Sequence, residues 1–316
     1  MTITNDLVEL SIEANRNDRG HLKFDFPELK IGTADYTSAQ TGCTVFSFEQ
    51  RAMMVSDCRG GAIGAIGTHY PEVDAICFAG GSAYGQEAIL GVGAEIHKRA
   101  NYSTDWQDIA LAAGAIIYDY RFRENAVYPD KALGRAALNA AKPNLIAQGN
   151  VGAGFSASAG KCLTEAGYEG ERTGQGAAFR QVGQTKIFIA TVLNPLGAIV
   201  NKQGKVVRGN LAPTTGERVH LHEHANGTGP AGKGNTTLTL MVTNQRMPRQ
   251  ALSQVAKQVH SSMARGIQPF HTEFDGDVFY AVSTEQVSDP NLAPFALGAI
   301  ASELAWDAIL AAANAD

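Results

Sequence analysis

The sequence predicts an α+β fold built as one interleaved domain, and three observations carry that expectation. Strand-like and helix-like segments mix along the whole chain, without the strict βαβ alternation of a doubly wound sheet. Consecutive strand-like segments are joined by short turns, which favours antiparallel pairing with helices packed on the sheets. Residues 236–316, beyond a long polar stretch, carry apolar helices that need partners from the rest of the chain, so no separate domain is expected there.

The elements follow in order. "LKFDF" near the N-terminus reads as a strand. "GCTVFSFE" (Gly42–Glu49), "AMMVSD" (Ala52–Asp57) and "DAICFAG" (Asp74–Gly80) read as three more, bounded by turn residues. A helix spans about Ser82 to Ala100, and "GAIIYDY" (Gly114–Tyr120) is a strand. "PDKALGRAALNAA" reads as a helix with Pro129 at its first position. "KIFIATVLN" (Lys186–Asn194) and "GAIVNKQGKVV" (Gly197–Val207) give three strands, the last two a hairpin turning at "NKQG". Residues 208–235 are polar and rich in Gly, Pro, Thr and Asn, and a structureless run of that length is usually functional or disordered. From Thr236 to Thr243 the chain alternates Leu238, Leu240 and Val242 against Thr237, Thr239 and Thr243, the period of a strand. A helix opened by Pro248 sets Leu252, Val255, Ala256, Val259 and Met263 on one face, with Gly266 as its expected C-cap. The turn "EFDGD", the strand "VFYAVST" and an apolar helix through Leu297, Ile300, Ala301, Leu304 and Ala308 complete the chain.

Composition excludes several classes. At 44% hydrophobic and 18% charged the chain is not expected to be disordered, and a net charge of −5 gives no basic footprint for nucleic acid. The first twenty residues lack the apolar core of a signal peptide, and no apolar run reads as long enough to span a bilayer. Cys43, Cys58, Cys77 and Cys162 lie far apart with no Cys-x-x-Cys pair, so buried free thiols and a cytoplasmic location are expected.

Most motifs fail their sharper readings. "GAGFSASAGKC" has five residues between Gly154 and Gly160 where a phosphate loop needs four, and Cys162 stands where the magnesium-binding hydroxyl belongs. "AGGSAYGQEA" departs from the dinucleotide fingerprint likewise. "HLHEH" (His220–His224) has ligand chemistry, but no distant Cys/His cluster completes a metal set. His260 and His271 flank a helix and could be catalytic, although His260 reads better as a partly buried structural residue. Ser156 and Ser158 beside Lys161 allow a Ser–Lys arrangement, a spacing common by chance. "GNTT" is equally common, but its context is not: a glycine run, Gly229–Asn235, abuts a strand whose first residue carries a hydroxyl. Attack by Thr236 on the Asn235 carbonyl would give an ester, and water would then release Thr236 as a new N-terminus. The freed α-amine, with a reference pKa near ~8, can serve as base for its own hydroxyl.

At these residues the chain resembles the self-cleaving amidases, the family of the nylon-oligomer (6-aminohexanoate-oligomer) hydrolases and, more distantly, of the β-aminopeptidases and D-aminopeptidases. The likeness runs from about Lys23 to Leu310 and rests on "LKFDFPELKIG", "ICFAGGSAYGQEA", "AIIYDY", "AVYPDKALGRAAL", "GFSASAGK", "TGQGAAFR", "LNPLGAI", "VVRGN", "GNTT", "AKQVHSSMARGIQPFHTEFDGD" and "ALGAIASELAWDAIL". The first twenty residues and the stretch from Leu211 to Lys233 fall outside it. The resemblance implies an αββα sandwich, two stacked sheets flanked by helices, cut between Asn235 and Thr236 into chains 1–235 and 236–316 that stay together and assemble as tetramers of cleaved pairs. It implies Thr236 as nucleophile, Lys161 near its hydroxyl, Asn194 as oxyanion donor, Asp275 and Asp277 contacting the threonine and orienting its amine, and Tyr118 on the substrate or oxyanion side. Neither a cofactor nor a metal is expected, and neither nucleic acid nor membrane is an expected partner. The activity implied is endo-type hydrolysis of linear amides such as 6-aminohexanoate oligomers. An aminopeptidase for β- or D-amino acid termini, an acyltransferase of the ornithine acetyltransferase type and a glycine-rich nucleotide-binding protein remain alternatives.

Overall fold

The computed structural model describes residues 2–224, 234–290 and 292–314. Its principal elements are strands β1 (Leu29–Tyr36), β2 (Thr41–Arg59) and β3 (Glu72–Ala79), helix α1 (Gln86–Arg99), strand β4 (Ala112–Ile116) and helix α2 (Lys131–Asn139). Strands β5 (Gln175–Val182), β6 (Thr185–Asn194) and β7 (Thr236–Gln245), helix α3 (Arg249–Ser262), strand β8 (Asp277–Val287) and helix α4 (Pro294–Ala313) follow.

One long strand organises them. β2 pairs through its first half with β1 and β3, and through its second half, Met53–Arg59, with β8. The hydrogen-bonded order β5-β6-β7-β8-β2-β3-β4 therefore bends into two layers that share β2. Phe46, Ile76 and Phe78 of one layer meet Phe188, Leu238, Leu240, Val242 and Tyr280 of the other in a common core. The outer face of β5–β8 is covered by α3 and α4, and the outer face of β1–β4 by α1 and α2. This is the αββα sandwich. Ring contacts tie the layers together, Phe78 lying 6.2 Å from Tyr280, whose hydroxyl donates to the Gly114 carbonyl at 2.8 Å.

Several expectations are corrected. The two strands expected at 42–49 and 52–57 are one, because the polar Glu49, Gln50 and Arg51 form a bulge in pairing with β3 and not a turn. In "LKFDF" only Leu22 and Lys23 are strand; Asn144 captures the backbone N–H groups of Phe24 and Phe26, and both rings turn into the core. α2 starts at Lys131, not Pro129, with Asp130 as its N-cap, whose carboxylate accepts the Leu133 N–H at 3.0 Å. Gly266 does close the helical run, but as the right-handed cap of a 3-10 turn, Met263–Arg265, that continues α3 beyond Ser262, and a Cβ there would meet the Trp306 ring at 2.9 Å. Pairing is not uniformly antiparallel. β3–α1–β4 and β7–α3–β8 are crossover units whose strands run parallel. Helix α4 is long and apolar enough to cross a membrane by length and composition, contrary to the sequence reading, but Leu297, Ala301, Leu304, Ala308 and Ile309 bury its apolar face on the sheet. The strand β5 was not expected at all. All four cysteines are free, three of them buried.

Replacing Tyr280 with Phe removes the buried hydrogen bond linking the layers, which costs about 0.5–1.5 kcal/mol. Urea unfolding should show a lower midpoint for Tyr280→Phe with an unchanged slope.

Candidate active site

Sheet topology brings four remote segments to one edge. β7 and β8 are parallel, so both start at the same end, and Asn235 forms a parallel bridge with Asp275 just ahead of them. β6 is antiparallel to β7 and finishes there, with Asn194 directly across from Thr236. "GNTT", "FDGD" and "VLNP" thus meet. "SASAGK" is laid alongside by its backbone, Gly160 and Lys161 donating their N–H groups to Gly197 and Leu196 at 2.8 Å each. Strand alternation puts Thr236 on the face of Leu238 and Leu240, at the rim of the core between the sheets.

Thr236 is 4% exposed and Asn235 1%. The Thr236 hydroxyl donates to the Asn235 carbonyl oxygen at 2.5 Å, and the Gly276 N–H donates to the same oxygen at 2.8 Å. A backbone donor so placed polarises the carbonyl and stands where negative charge develops if its carbon is attacked. Sequence reasoning missed Gly276 because a backbone N–H has no side-chain signature. The glycine between the two aspartates is the available signal: a Cβ there would lie 2.3 Å from the Ala62 carbonyl oxygen and 3.0 Å from Thr236 Oγ1.

Asn194 is oriented from both ends. Its Oδ1 accepts from Ser158 N–H and Lys161 Nζ, at 3.1 Å each, and its Nδ2 donates to the carbonyls of Tyr118 (3.2 Å) and Gly234 (3.3 Å). The amide donor therefore addresses the carbonyl one residue before Asn235. Lys161, 2% exposed, also donates to the Asn194 carbonyl at 3.1 Å. Burial brings its pKa down to about 7, helped by the charge of Arg121 and opposed by Asp275. Neighbouring Cys162 is pushed up to about 12 by burial, so its thiol stays protonated.

The two carboxylates are wholly buried but do not hydrogen-bond Thr236, among the described residues. Asp275 accepts from Leu196 N–H at 3.1 Å and from the Thr272 N–H and hydroxyl at 3.1 and 2.5 Å. Asp277 accepts from Thr237 N–H at 2.7 Å and from His271. In place of the expected contact with Thr236, Asp277 contacts the residue after it. Tyr118 is 42% exposed; it offers Asn194 its carbonyl, while its ring lies against Gly234. His220 caps a 3-10 turn at Leu221–Glu223, and Ser158 serves Asn194. The glycine run ahead of Gly234 lies outside the described residues.

Two solved aminopeptidases share this fold. The β-aminopeptidase of a Burkholderia species superposes with a TM-score of 0.67 at 16% identity, over 91% of this chain and 84% of that one. The L-aminopeptidase D-Ala-esterase/amidase of Ochrobactrum anthropi, described as a variant of the Ntn-hydrolase fold, gives 0.62 at 16% identity, over 90% and 82%. Residues 24–315 match peptidase family S58, and the chain belongs to that family. A putative NylC-analogous protein of Agromyces sp. is 47% identical, covering 92% of this chain and 99% of its own length. The 6-aminohexanoate-oligomer endohydrolase of Kocuria sp. is 46% identical, covering 94% and 87%.

Gly276→Ala should displace the 275–277 turn and remove the donor to Asn235. Loss of one such donor costs about 10²–10³ in rate elsewhere. A gel time course should show any cutting after Asn235 slowed by that order in the folded variant.

Proposed function

We propose that this protein is an autoprocessing amide hydrolase that cuts itself between Asn235 and Thr236 and then uses the N-terminal threonine to hydrolyse linear amides, 6-aminohexanoate oligomers among them, by endo-type attack. One observation carries the reading: the buried Thr236 hydroxyl sits on the Asn235 carbonyl oxygen, and the Gly276 N–H holds that same oxygen. The substrate class is supported by the 46–47% identity to proteins named for that activity or by analogy with it.

In the self-cleavage step the Thr236 Oγ bonds to the Asn235 carbonyl carbon, the C–N bond breaks, and the hydroxyl proton ends on the departing α-nitrogen. Water then hydrolyses the ester, leaving a carboxylate on Asn235 and restoring the hydroxyl. Lys161 suits the proton transfer. In its neutral form two N–H groups satisfy the two Asn194 oxygens and the lone pair stays available. Once Asn235 has left, the Gly234 carbonyl no longer occupies the Asn194 amide, which is free to hold the oxyanion of a substrate amide. The new amine beside Thr236 acts as base for each later turnover.

Thr236→Ala should abolish both the cut and amide hydrolysis, and Thr236→Ser should keep part of each, read by intact mass and by product release. Full hydrolysis by Thr236→Ala would contradict the reading and leave Ser158 with Lys161 as the nucleophilic pair. Because Lys161 loses its proton near pH 7, self-cleavage should accelerate as pH rises from 6 to 8 and then level. In Lys161→Met the rate should be far lower and flat across that range. Oligomers with blocked amino ends should still be cut, which an aminopeptidase requiring a free terminal ammonium would refuse.

A further inference from the structure

The cleavage chemistry leaves one partner of the site unused. His271 lies in the turn before β8 and donates twice to Asp277 Oδ2, from its backbone N–H at 3.2 Å and from its ring Nδ1 at 2.8 Å. The other carboxylate oxygen takes the Thr237 N–H at 2.7 Å. Asp277 is thus a buried bridge between an imidazole and the residue following the nucleophile.

The ring is held between two others. Phe270 stacks on it at 3.7 Å, and His260 of α3 meets it edge-on at 4.4 Å. Its Nε2 is buried with no hydrogen-bond partner among the described residues. A proton on Nδ1 suits this setting, since a bare Nδ1 would turn a lone pair on the carboxylate. The backbone of His271 has φ +60°, a left-handed conformation that residues other than glycine rarely adopt and that concentrates at functional sites.

We propose that His271 is a positioning residue for the nucleophile: its Nδ1–H anchors the Asp277 carboxylate on the Thr237 N–H, and so fixes the first residue of β7, Thr236. The proposal rests on Thr236 being the nucleophile.

The charged groups facing this pair are few. Asp275 shares the turn, His260 faces it from α3, and Asp57 and Arg59 of β2 lie behind His260, its Nδ1 2.9 Å from Asp57. Burial pushes Asp277 up to about 6, with the His271 hydrogen bond opposing and the Asp275 charge adding. Burial pushes His260 down to about 4, against the hydrogen bond its Nδ1 donates to Asp57, so it is neutral where the enzyme would work. Activity that needs the Asp277 carboxylate is lost as pH falls through about 6. Without the imidazole donor that loss begins at higher pH.

The test compares His271→Gly, which tolerates the backbone but lacks the donor, with His271→Asn, which tolerates it and restores a side-chain N–H. With a 6-aminohexanoate oligomer as substrate, His271→Gly should lower kcat about tenfold or more, the scale of a lost charge-assisted hydrogen bond. KM should stay nearly unchanged, the acid limb should move up, and His271→Asn should recover most of the rate and the limb. Wild-type kcat and limb in His271→Gly would overturn the proposal, as would a folded His271→Asn no faster than the glycine variant. Should the glycine variant not fold, histidine nitrogen NMR on the wild type decides: a protonated Nδ1 on His271 at neutral pH supports the role, and a bare Nδ1 overturns it. Hydrolysis by Thr236→Ala would instead overturn the nucleophile reading beneath it, a result seen without touching His271.

Discussion

The parallel pairing of β7 with β8 is the constraint on which the site depends. Crossover through α3 makes both strands begin at the same edge, so the peptide entering β7 lies beside the turn entering β8. That adjacency puts the Gly276 N–H on the Asn235 carbonyl and Asp277 on the Thr237 N–H. An antiparallel pair would have sent the "FDGD" turn to the opposite end of the sheet. β6 adds Asn194 from the other flank because it runs against β7 and ends where β7 begins.

The site is also a set of buried charges held by donors and acceptors instead of by water. Asp275 is wholly buried yet receives three hydrogen bonds from Leu196 and Thr272, and Asp277 receives three from Thr237 and His271. Burying such groups without partners would be prohibitive, so the network is a condition for the cluster to exist. Lys161 is treated differently. Its acceptors are uncharged, both belonging to Asn194, and burial leaves it poised between its two protonation states near neutrality. A carboxylate set that stays anchored beside an amine that titrates is a division of labour suited to proton transfer.

Much of this was legible in the sequence, and the failures have physical causes. The alternation of Leu238, Leu240 and Val242 marked β7 because one face of that strand meets the second sheet, and period two is the trace of such burial. Thr236 is marked by a glycine run that abuts a strand opening on a hydroxyl, Lys161, Asn194, Asp275 and Asp277 only by family likeness, and the fold brings all five to one end of the sheet. Strand partners and their direction leave no local mark, so the parallel crossovers could not be read. β5 escaped notice because "QGAAFR" is built of small residues, and α4 packs directly on it: a Cβ at Gly176 would strike the Ala308 carbonyl oxygen at 2.4 Å. The continuity of β2 was hidden by Glu49–Gln50–Arg51, which resembles a turn until the bulge is seen. Gly276 acts through its backbone, and sequence patterns report side chains.

In the proposed cut the Thr236 hydroxyl attacks the Asn235 carbonyl and passes through an ester. Neutral hydroxylamine intercepts esters but not amides, so freshly made protein incubated with it and examined by mass spectrometry tests the claim directly. Attack by Thr236 should give faster cutting and a hydroxamate on Asn235 at the end of the 1–235 chain. A chain cut at that bond with no hydroxamate and no acceleration, or a chain cut elsewhere, would contradict it.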